Sequence, residues 1–358
     1  MSDSKYINVF PENDWIQKSP ESQGLDSTKL NEAITYLEAN SASDGVKELV
    51  IIRNGYMIYE GKNIDHVHGV WSFTKSFTST VLGLLVDAGK ATLDTKAKDH
   101  LSSMVESYSE VTLRHFATMT SAYYAIGDEG PGDYSHGSGL TPFDPSPDQI
   151  FTPPGEKYVY WDSAMNQFAN IITRIADEPI VNLFKRKVAD PIGMNSAKWD
   201  WKDFGVIDGI VVNGGSGNHN RHITISARES ARFGHLFLNN GNWNGVGIIS
   251  SDWVREATSV QVPRTIQLGD PINSPIEGRG VYGYNWWVNG IKPDGKRKWP
   301  NAPSDTYSAS GYNNNDMFII PEWNMVIVRL GLDQKEKEIT DDIYDTFLKR
   351  VGGAFIEA

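Results

Sequence analysis

The sequence contains no cysteine among its 358 residues. A chain without cysteine forms no disulfide, and it lacks both cysteine–zinc sites and thiol nucleophiles. Any nucleophile in this protein is therefore an oxygen or an amine.

Positive charge is also scarce. The 33 Lys and Arg residues stand against 45 Asp and Glu residues, which gives a formal net charge of −12. Nucleic-acid binding needs clustered basic side chains that contact phosphates. We therefore expect no nucleic-acid partner, and we attribute the acidity to solubility.

Long apolar runs are missing as well. The longest, such as Val81 to Ala88, are far shorter than the ~20 residues that span a membrane, so no membrane span is expected. The first residues show no basic segment followed by an apolar one, which would mark a signal peptide. The chain as written is expected to be cytoplasmic, and a periplasmic or secreted location is the alternative if a leader was removed.

What the sequence does contain is typical of a folded domain, with 39% hydrophobic and 22% charged residues. Lys47 to Arg53 and Tyr56 to Glu60 flank Asn54-Gly55, a pattern that predicts a β-hairpin with a type I′ turn. Near the other end, apolar segments predict further strands and a last helix, over Asp305 to Gly311, Asp316 to Ile320, Met325 to Leu330 and, for the helix, Ile339 to Val351.

Helices are predicted between these strands. Asp26-Ser27 is expected to cap a helix that runs to Glu38. Phe73 to Ala88 is apolar on nearly all sides, which predicts a buried central helix that ends at Gly89. Shorter helices are predicted over Val111 to Met119, Asp162 to Ile175, Pro179 to Val188 and Ala227 to Asn239.

Strands at both ends around a helical middle favour an α+β fold. We expect one antiparallel sheet formed from both termini with flanking helices, plus a mostly helical domain. The boundaries assign 1–98 and 291–358 to an α/β sheet domain and 99–290 to the helical domain. A cleft between the two parts is the natural place for a site.

Ser72-Phe73-Thr74-Lys75, an S-x-x-K sequence, opens the predicted central helix. Residues three apart share a helix face, so the serine hydroxyl and the lysine amine can meet there. The unpaired N–H groups and the dipole of a helix N-terminus favour developing negative charge. A lysine kept neutral by such surroundings can act as a base toward the serine, as in Ser–Lys acyl transfer.

The spacing alone also allows a plain structural interpretation, in which the serine caps the helix and the lysine reaches solvent. Ser2-Asp3-Ser4-Lys5 fits the same pattern without an expected function. Lys75, however, lies among apolar residues such as Phe77 and Val81. Because burying a lysine is costly, this environment favours the catalytic interpretation.

The run GVWSFTKSFTSTVLGLLVDAGKATLD resembles the nucleophile helix of the serine β-lactamase-like family. That group includes class C β-lactamases, D-alanyl-D-alanine peptidases, esterases and 6-aminohexanoate-dimer hydrolases. Other segments resemble family motifs in the same order, namely VTLRHFATMTSAY, PGEKYVYWDSAMNQFANII, ARESARFGHLFLNNGNWNGVGIISSDWV, YGYNWWV and SASGYNNNDMFIIPEWNMVIV. The resemblance covers roughly residues 20 to 350 and implies the β-lactamase/DD-peptidase-like fold.

Carried over by position, the resemblance implies roles for individual residues. Ser72 becomes the nucleophile, Lys75 its activating partner, and Tyr160 the tyrosine of the family's Y-x-N motif, which passes a proton to the leaving group. Ala309-Ser310-Gly311 takes the place of the K-T-G or H-T-G motif. The backbone N–H groups of Ser72 and Tyr312 are then expected to form an oxyanion hole.

Two positions depart from the family pattern. Asp162 replaces the asparagine of Y-x-N, and Ala309 replaces the lysine or histidine of the third motif. In β-lactam-processing members that charged residue helps to anchor the substrate carboxylate, so its absence argues for other esters or amides. We expect the substrate-binding residues to be Asp162, Ser310, Gly311, Trp161 and Trp286, with Trp287 flanking the same motifs.

The sequence thus predicts a serine hydrolase that cleaves a small-molecule ester, amide or peptide-like substrate through an acyl-enzyme, with no cofactor and no metal. A β-lactamase or D-alanyl-D-alanine peptidase activity is one alternative. A catalytically inactive binding protein that retains the fold is the other. The oligomeric state is left open.

Three further sequence patterns each have a simple structural interpretation beside a functional one. Gly214 to Asn218 lacks the last glycine of G-x-S-x-G, so no α/β-hydrolase nucleophile elbow is expected. His66-x-His68 resembles half of a metal site, but no H-x-x-x-H-x-D pattern follows, and we interpret the pair as non-metal. Asp128, Glu129 and Asp133 either face the cleft, where they would favour cationic substrates, or lie on a solvated surface.

Overall fold

The centre of the protein is a six-stranded antiparallel sheet, seen in a computed structural model that describes residues 8–128, 141–272 and 274–356. The strands are β1 (Leu49–Arg53), β2 (Tyr56–Glu60), β3 (His68–Gly69), β4 (Lys157–Tyr158), β5 (Trp199–Trp201), β6 (Asp203–Ile207), β7 (Ile210–Asn213), β8 (Ile223–Ile225), β9 (Asn242–Trp243), β10 (Val246–Gly247), β11 (Gln267–Leu268), β12 (Trp287–Val288), β13 (Tyr307–Gly311), β14 (Asn315–Ile320) and β15 (Met325–Arg329). The strand order in the large sheet is β12-β13-β14-β15-β1-β2.

Helices surround this sheet and fill the middle of the chain. They are α1 (Ser27–Ala39), α2 (Thr74–Asp87), α3 (Leu113–Ala117), α4 (Asp162–Ala176), α5 (Ile180–Phe184), α6 (Ala227–Leu238), α7 (Ser251–Ala257) and α8 (Asp341–Gly352). No helix in the described ranges combines the length and the apolar character needed to cross a membrane.

The sheet is formed from both termini, as the sequence predicts. Strand β1 pairs with β15 in the register Leu49↔Arg329 to Arg53↔Met325. Both strands are buried along their whole length, which explains their continuous β-branched and apolar composition. The predicted hairpin is confirmed, with Asn54 and Gly55 at φ +53° and +82° in the turn.

The two faces of the sheet pack against different helices. On one face, α1 and α8 cover an apolar cluster that includes Leu30, Ile34 and Leu37 of α1, and Asp26 caps α1 as expected. The other face packs against α6 and the buried helix α2, where Phe77 and Phe233 stack at 4.1 Å between ring centroids. The predicted central helix is therefore confirmed, and its start lies beside strand β13.

The middle of the chain contains helices α3 to α7, as expected, and also short strands that the sequence does not predict. It contains short strands from β4 to β11, and Trp287–Val288 pairs with β13 at the edge of the large sheet. The predicted helix at 111–119 covers only Leu113–Ala117, because Met119 adopts a left-handed φ of +58°. The division into domains at residues 98 and 290 stays a prediction.

Candidate functional site

Ser72 lies in a tight turn between β3 and α2. The turn is a 3₁₀ segment over Trp71–Phe73, and Trp71 has a φ of +46°, a left-handed value that is rare for a bulky residue. Such strained conformations concentrate at functional sites, where the surrounding structure imposes them. Here the turn places Ser72 at the wall of a large cavity.

The loop that contains Gly217 packs closely against this turn. A Cβ atom at Gly217 would lie 2.4 Å from the Ser72 nitrogen, so only glycine fits this close approach. The His222 Nδ1 atom lies 2.8 Å from the Gly217 carbonyl oxygen. Burial lowers the pKa of His222 to about 4, so the ring is neutral at pH 7 and its Nδ1–H donates to that carbonyl.

Lys75 is one helical turn beyond Ser72 and is 1% exposed. Its Nζ atom donates to Ser72 Oγ at 2.8 Å, to Asp162 Oδ1 at 2.7 Å and to the Ser216 carbonyl oxygen at 2.7 Å. These three bonds use all three N–H groups of a lysine ammonium. The amine is therefore fixed within proton-transfer distance of the serine hydroxyl.

Asp162 begins helix α4 and forms the ion pair that allows Lys75 to be buried. The side chains of Lys75 and Asp162 are 2% and 12% exposed. A carboxylate in the first turn of a helix is also stabilised by the helix dipole. The aspartate that departs from the family's asparagine therefore supplies the counter-charge of the buried lysine.

Tyr160 lies two residues before the start of helix α4 and completes the cluster. It is 4% exposed and lines the same cavity. The Lys75 ammonium lies 4.6 Å from the centre of the Tyr160 ring, a cation–π contact. The ring also stacks on Trp287 at 6.0 Å. The structure thus brings together four residues that the sequence singled out: Ser72, Lys75, Tyr160 and Asp162.

Strand β13 forms the opposite wall. A Cβ atom at Gly311 would lie 2.0 Å from the Val70 carbonyl oxygen and 2.8 Å from the Phe73 nitrogen, so the strand needs glycine to approach the Ser72 turn. Ser310, Gly311 and Tyr312 all line the cavity, and the Tyr312 ring lies 5.9 Å from that of Trp71.

The cavity between these walls has a volume of about 1050 Å³. Trp287 lines it, whereas the structure places the two other tryptophans of the expected pocket in the core, each with 0% exposure. The Trp161 indole donates to Asp128 Oδ2 at 2.9 Å, and Trp286 packs against Phe237 at 4.5 Å. The expectation that Trp161 and Trp286 line the pocket is corrected accordingly, since both lie in the core and Trp287 lines the cavity.

Asp128 is neither a cleft carboxylate nor a solvated one. It is 8% exposed and accepts hydrogen bonds from the Ala125 N–H and the Trp161 indole at 2.9 Å and from the Ser163 hydroxyl at 2.5 Å. It therefore orders the residues around the start of α4. Glu129 and Asp133, the other acidic residues of this predicted loop, lie outside the described residues.

Asp316 is a cavity residue that no sequence motif indicates. It is the cross-strand partner of Ser310, lines the cavity and is 7% exposed. Within the described ranges it forms no ion pair closer than 4.0 Å. Burial raises the pKa of the Asp316 carboxyl to about 6, although the Ser310 hydroxyl partly opposes this shift. A buried carboxyl group is thus part of the cavity wall.

We expect Asp316→Asn to stabilise the protein at pH 8 and not at pH 4. The folded state binds this proton more tightly than the unfolded state, so the contribution of Asp316 to stability falls as the pH rises from about 4 through about 6. Asparagine mimics the protonated form, and the expected gain in the free energy of unfolding at pH 8 is up to ~3 kcal/mol. Urea unfolding at both pH values measures it.

The exposed Asp294→Asn variant is the control for this comparison, because Asp294 borders the same cavity. An equal effect of Asp316→Asn at pH 4 and pH 8 would show that the carboxyl group titrates normally in the folded protein.

Comparison with known proteins gives one family model, described as Beta-lactamase, which matches residues 48–348. Among solved structures, the chain is similar to a putative 6-aminohexanoate-dimer hydrolase from Bacillus anthracis, with a TM-score of 0.64, 18% identity and coverage of 96% of this chain and 88% of that one. It is also similar to a putative beta-lactamase from Bacteroides dorei, with a TM-score of 0.65, 17% identity and coverage of 93% and 99%.

A family VIII carboxylesterase is a third structural neighbour, with a TM-score of 0.65, 15% identity and coverage of 96% of this chain and 100% of that one. At these identities the likeness shows the fold. By sequence, an uncharacterised protein from Alkalihalophilus pseudofirmus is 30% identical over 105 residues, and the match spans 29% of each chain.

Proposed function

The chain belongs to the Beta-lactamase family, and from this membership and the geometry around Ser72 we propose that it is a serine hydrolase that cleaves esters or amides through an acyl-enzyme. The observation that carries the proposal is the 2.8 Å hydrogen bond between the buried Lys75 amine and the Ser72 hydroxyl. A putative 6-aminohexanoate-dimer hydrolase and a family VIII carboxylesterase are among the structural neighbours, which supports this reaction class.

In the first step, the Lys75 ammonium gives one proton to its ion-pair partner Asp162, and Ser72 Oγ attacks the substrate carbonyl carbon while the serine proton passes to the freed Lys75 Nζ. Tyr160 gives its hydroxyl proton to the leaving alcohol or amine and recovers one from Lys75. The products of this step are an acyl ester on Ser72 and the free leaving group. The charge on the carbonyl oxygen is stabilised by the backbone N–H groups of Ser72 and Tyr312.

In the second step, water takes the place of the leaving group. Lys75 and Tyr160 accept a proton from the water as it attacks the acyl carbonyl, and that proton returns to Ser72 Oγ. The free acid leaves and the starting protonation state is restored. No titrating group other than Lys75, Tyr160 and Asp162 is required for the cycle.

The charges of the cavity wall favour substrates without a carboxylate next to the scissile bond. Ala309 supplies no cation on strand β13, and Asp316 adds a carboxyl group to the wall beside Ser310. A carboxylate beside Ser310 would meet this like charge, and the cations that line the cavity, Arg279, Lys292 and Lys298, do not lie on strand β13. This arrangement favours esters and amides over β-lactams and acyl-D-alanyl-D-alanine.

A substrate panel tests the proposal. We expect short p-nitrophenyl esters to be cleaved at least about tenfold faster than a chromogenic cephalosporin or linear amides, a difference of ~1.4 kcal/mol in the barrier. Faster cleavage of the cephalosporin would favour the β-lactamase alternative. No turnover and no labelling by a fluorophosphonate would favour the inactive binding protein.

Tyr160→Phe is expected to lower kcat/KM for a p-nitrophenyl ester by about 10²–10⁴-fold, the usual contribution of a proton-transfer group. The substitution keeps the ring that contacts the Lys75 ammonium and Trp287, so the melting temperature should change little. Steady-state kinetics and thermal unfolding measure the two effects. Tyr312→Phe, at an exposed cavity residue, is the matched control and should retain most activity.

A further inference from the structure

A second cluster of polar side chains lies outside the cavity wall and consists of Glu48, His66 and His68. Glu48 immediately precedes β1, and His68 begins β3. His66 Nδ1 lies 2.8 Å from Glu48 Oε1, and His68 Nε2 lies 2.9 Å from Glu48 Oε2. The three potential ligand atoms, one from each residue, lie within 4.8 Å of one another.

His68 meets a hydrogen-bond acceptor at both ring nitrogens. Nδ1 lies 2.9 Å from the Gly69 carbonyl oxygen, which can only accept, so Nδ1 carries the proton. A neutral imidazole has one N–H group, and its Nε2 atom would then direct a lone pair at the Glu48 carboxylate. The side chains of His68 and Glu48 are 7% and 5% exposed, so this contact needs a shared cation, either a second proton or a metal ion.

The arrangement matches the surroundings of a metal-binding histidine. Such a histidine typically binds the metal through one nitrogen and donates its other N–H to a backbone carbonyl or carboxylate. The Nδ1–H bond to Gly69 fixes His68 in this tautomer, with Nε2 free to coordinate. Two imidazoles and one carboxylate are a ligand set that zinc uses in proteins.

We propose that Glu48, His66 and His68 bind one divalent transition-metal ion of the zinc class, which replaces the non-metal interpretation of His66 and His68 because the fold adds Glu48 to the pair. Around metal–ligand bonds of about 2.0–2.2 Å, the nitrogen–oxygen pairs that now lie 2.8 and 2.9 Å apart would separate by a few tenths of an ångström. Any pair of ligand atoms as far apart as 4.8 Å would have to approach by about 1.5 Å. The side chain of His66 is 50% exposed, which leaves room for ion entry and for a water molecule as the fourth ligand.

The proposed metal site would stabilise the segment that leads to Ser72 and would take no part in the reaction. Glu48 leads into the six-stranded sheet, whereas His68 belongs to the small sheet with β8. Ser72 follows His68 by four residues along the chain. A metal ion bound here would link the segment before the Ser72 turn to the large sheet. The ion itself would not contact substrate.

Metal binding to the full chain tests the proposal directly. After treatment with a chelator, the protein is dialysed against Zn²⁺ or Co²⁺ and the bound metal is counted. We expect one ion per chain, visible absorption bands of four-coordinate Co²⁺, and a higher melting temperature with Zn²⁺. His66→Ala and Glu48→Gln each remove a proposed ligand, so each should lower the affinity by more than the about 10–100-fold that loss of a partner outside the ligand set costs, while His100→Ala, outside the cluster, should bind like the parent.

His66→Ala truncates a half-exposed side chain, so this variant is expected to fold even if changes at Glu48 do not. Less than about 0.1 equivalent of metal bound at ~0.1 mM free Zn²⁺ would overturn the proposal, because any useful site is filled at that concentration. Equal binding by the parent and His66→Ala would overturn it as well. Neither result depends on ester hydrolysis.

Discussion

Replacing Ser72 with alanine is expected to lower kcat/KM for a p-nitrophenyl ester by about 10⁴-fold or more, the loss found when a nucleophile is removed from a cooperating catalytic group. Without Oγ no acyl-enzyme can form, and Lys75 has no serine proton to accept. The melting temperature should fall little, because the substitution removes one of three acceptors of the Lys75 ammonium and leaves the ion pair with Asp162 intact.

Ser103→Ala is the matched control, since Ser103 is exposed and lies away from the cavity. It should keep the parent's activity and stability. If Ser72→Ala hydrolyses the ester at the parent's rate, Ser72 is not the nucleophile and the mechanism is wrong.

Lys75→Met is expected to remove both activity and much of the stability. Methionine fills a similar volume but accepts no proton from Ser72, so kcat/KM should fall by about 10³-fold or more. It also leaves the Asp162 carboxylate buried without its counter-charge. Removal of one partner of a buried ion pair costs about 3–5 kcal/mol in the free energy of unfolding.

A double variant separates the two effects of Lys75. Lys75→Met combined with Asp162→Asn removes both charges of the pair, so most of the lost stability should return while the activity stays low. Urea unfolding and ester kinetics on the two single variants and the double variant measure this cycle. Activity that recovers together with stability would show that Lys75 serves only to hold the fold.

Local pattern and family motifs were sufficient to predict the framework and the cluster of side chains around Ser72. The alternation around Asn54-Gly55 sets the hairpin, and the apolar run of α2 sets the buried helix at whose start Ser72 lies. Lys75, Tyr160 and Asp162 were identified from motifs, and the structure brings all three to Ser72. These features depend on short-range spacing or on segments that match the family.

Features that depend on which face a side chain takes, or on distant pairing, were not predicted. Trp161 and Trp286 each adjoin a cavity residue in sequence, but neighbouring residues point to opposite sides, so both enter the core. Asp316 reaches the cavity only through its cross-strand pairing with Ser310. Glu48 contacts His66 from 18 residues earlier in the chain, a separation at which no local sequence pattern indicates contact.

The short strands of the middle segment were missed for a related reason. Several of them, such as β4 and β11, contain only two residues, and these two pair with each other although they lie far apart along the chain. Two residues show no alternation that could distinguish a strand from a loop. These strands are defined by their pairing with distant segments, and no local sequence pattern indicates that pairing.

Mass spectrometry of the fluorophosphonate-treated protein tests the central role of Ser72 most directly. Trypsin, which cleaves after Lys62 and Lys75, releases the peptide Asn63 to Lys75, in which Ser72 is the single serine. The proposed mechanism predicts one adduct per chain, located on Ser72 of this peptide and absent from Ser72→Ala. An adduct on another residue, with the Asn63 to Lys75 peptide unmodified, would contradict the mechanism.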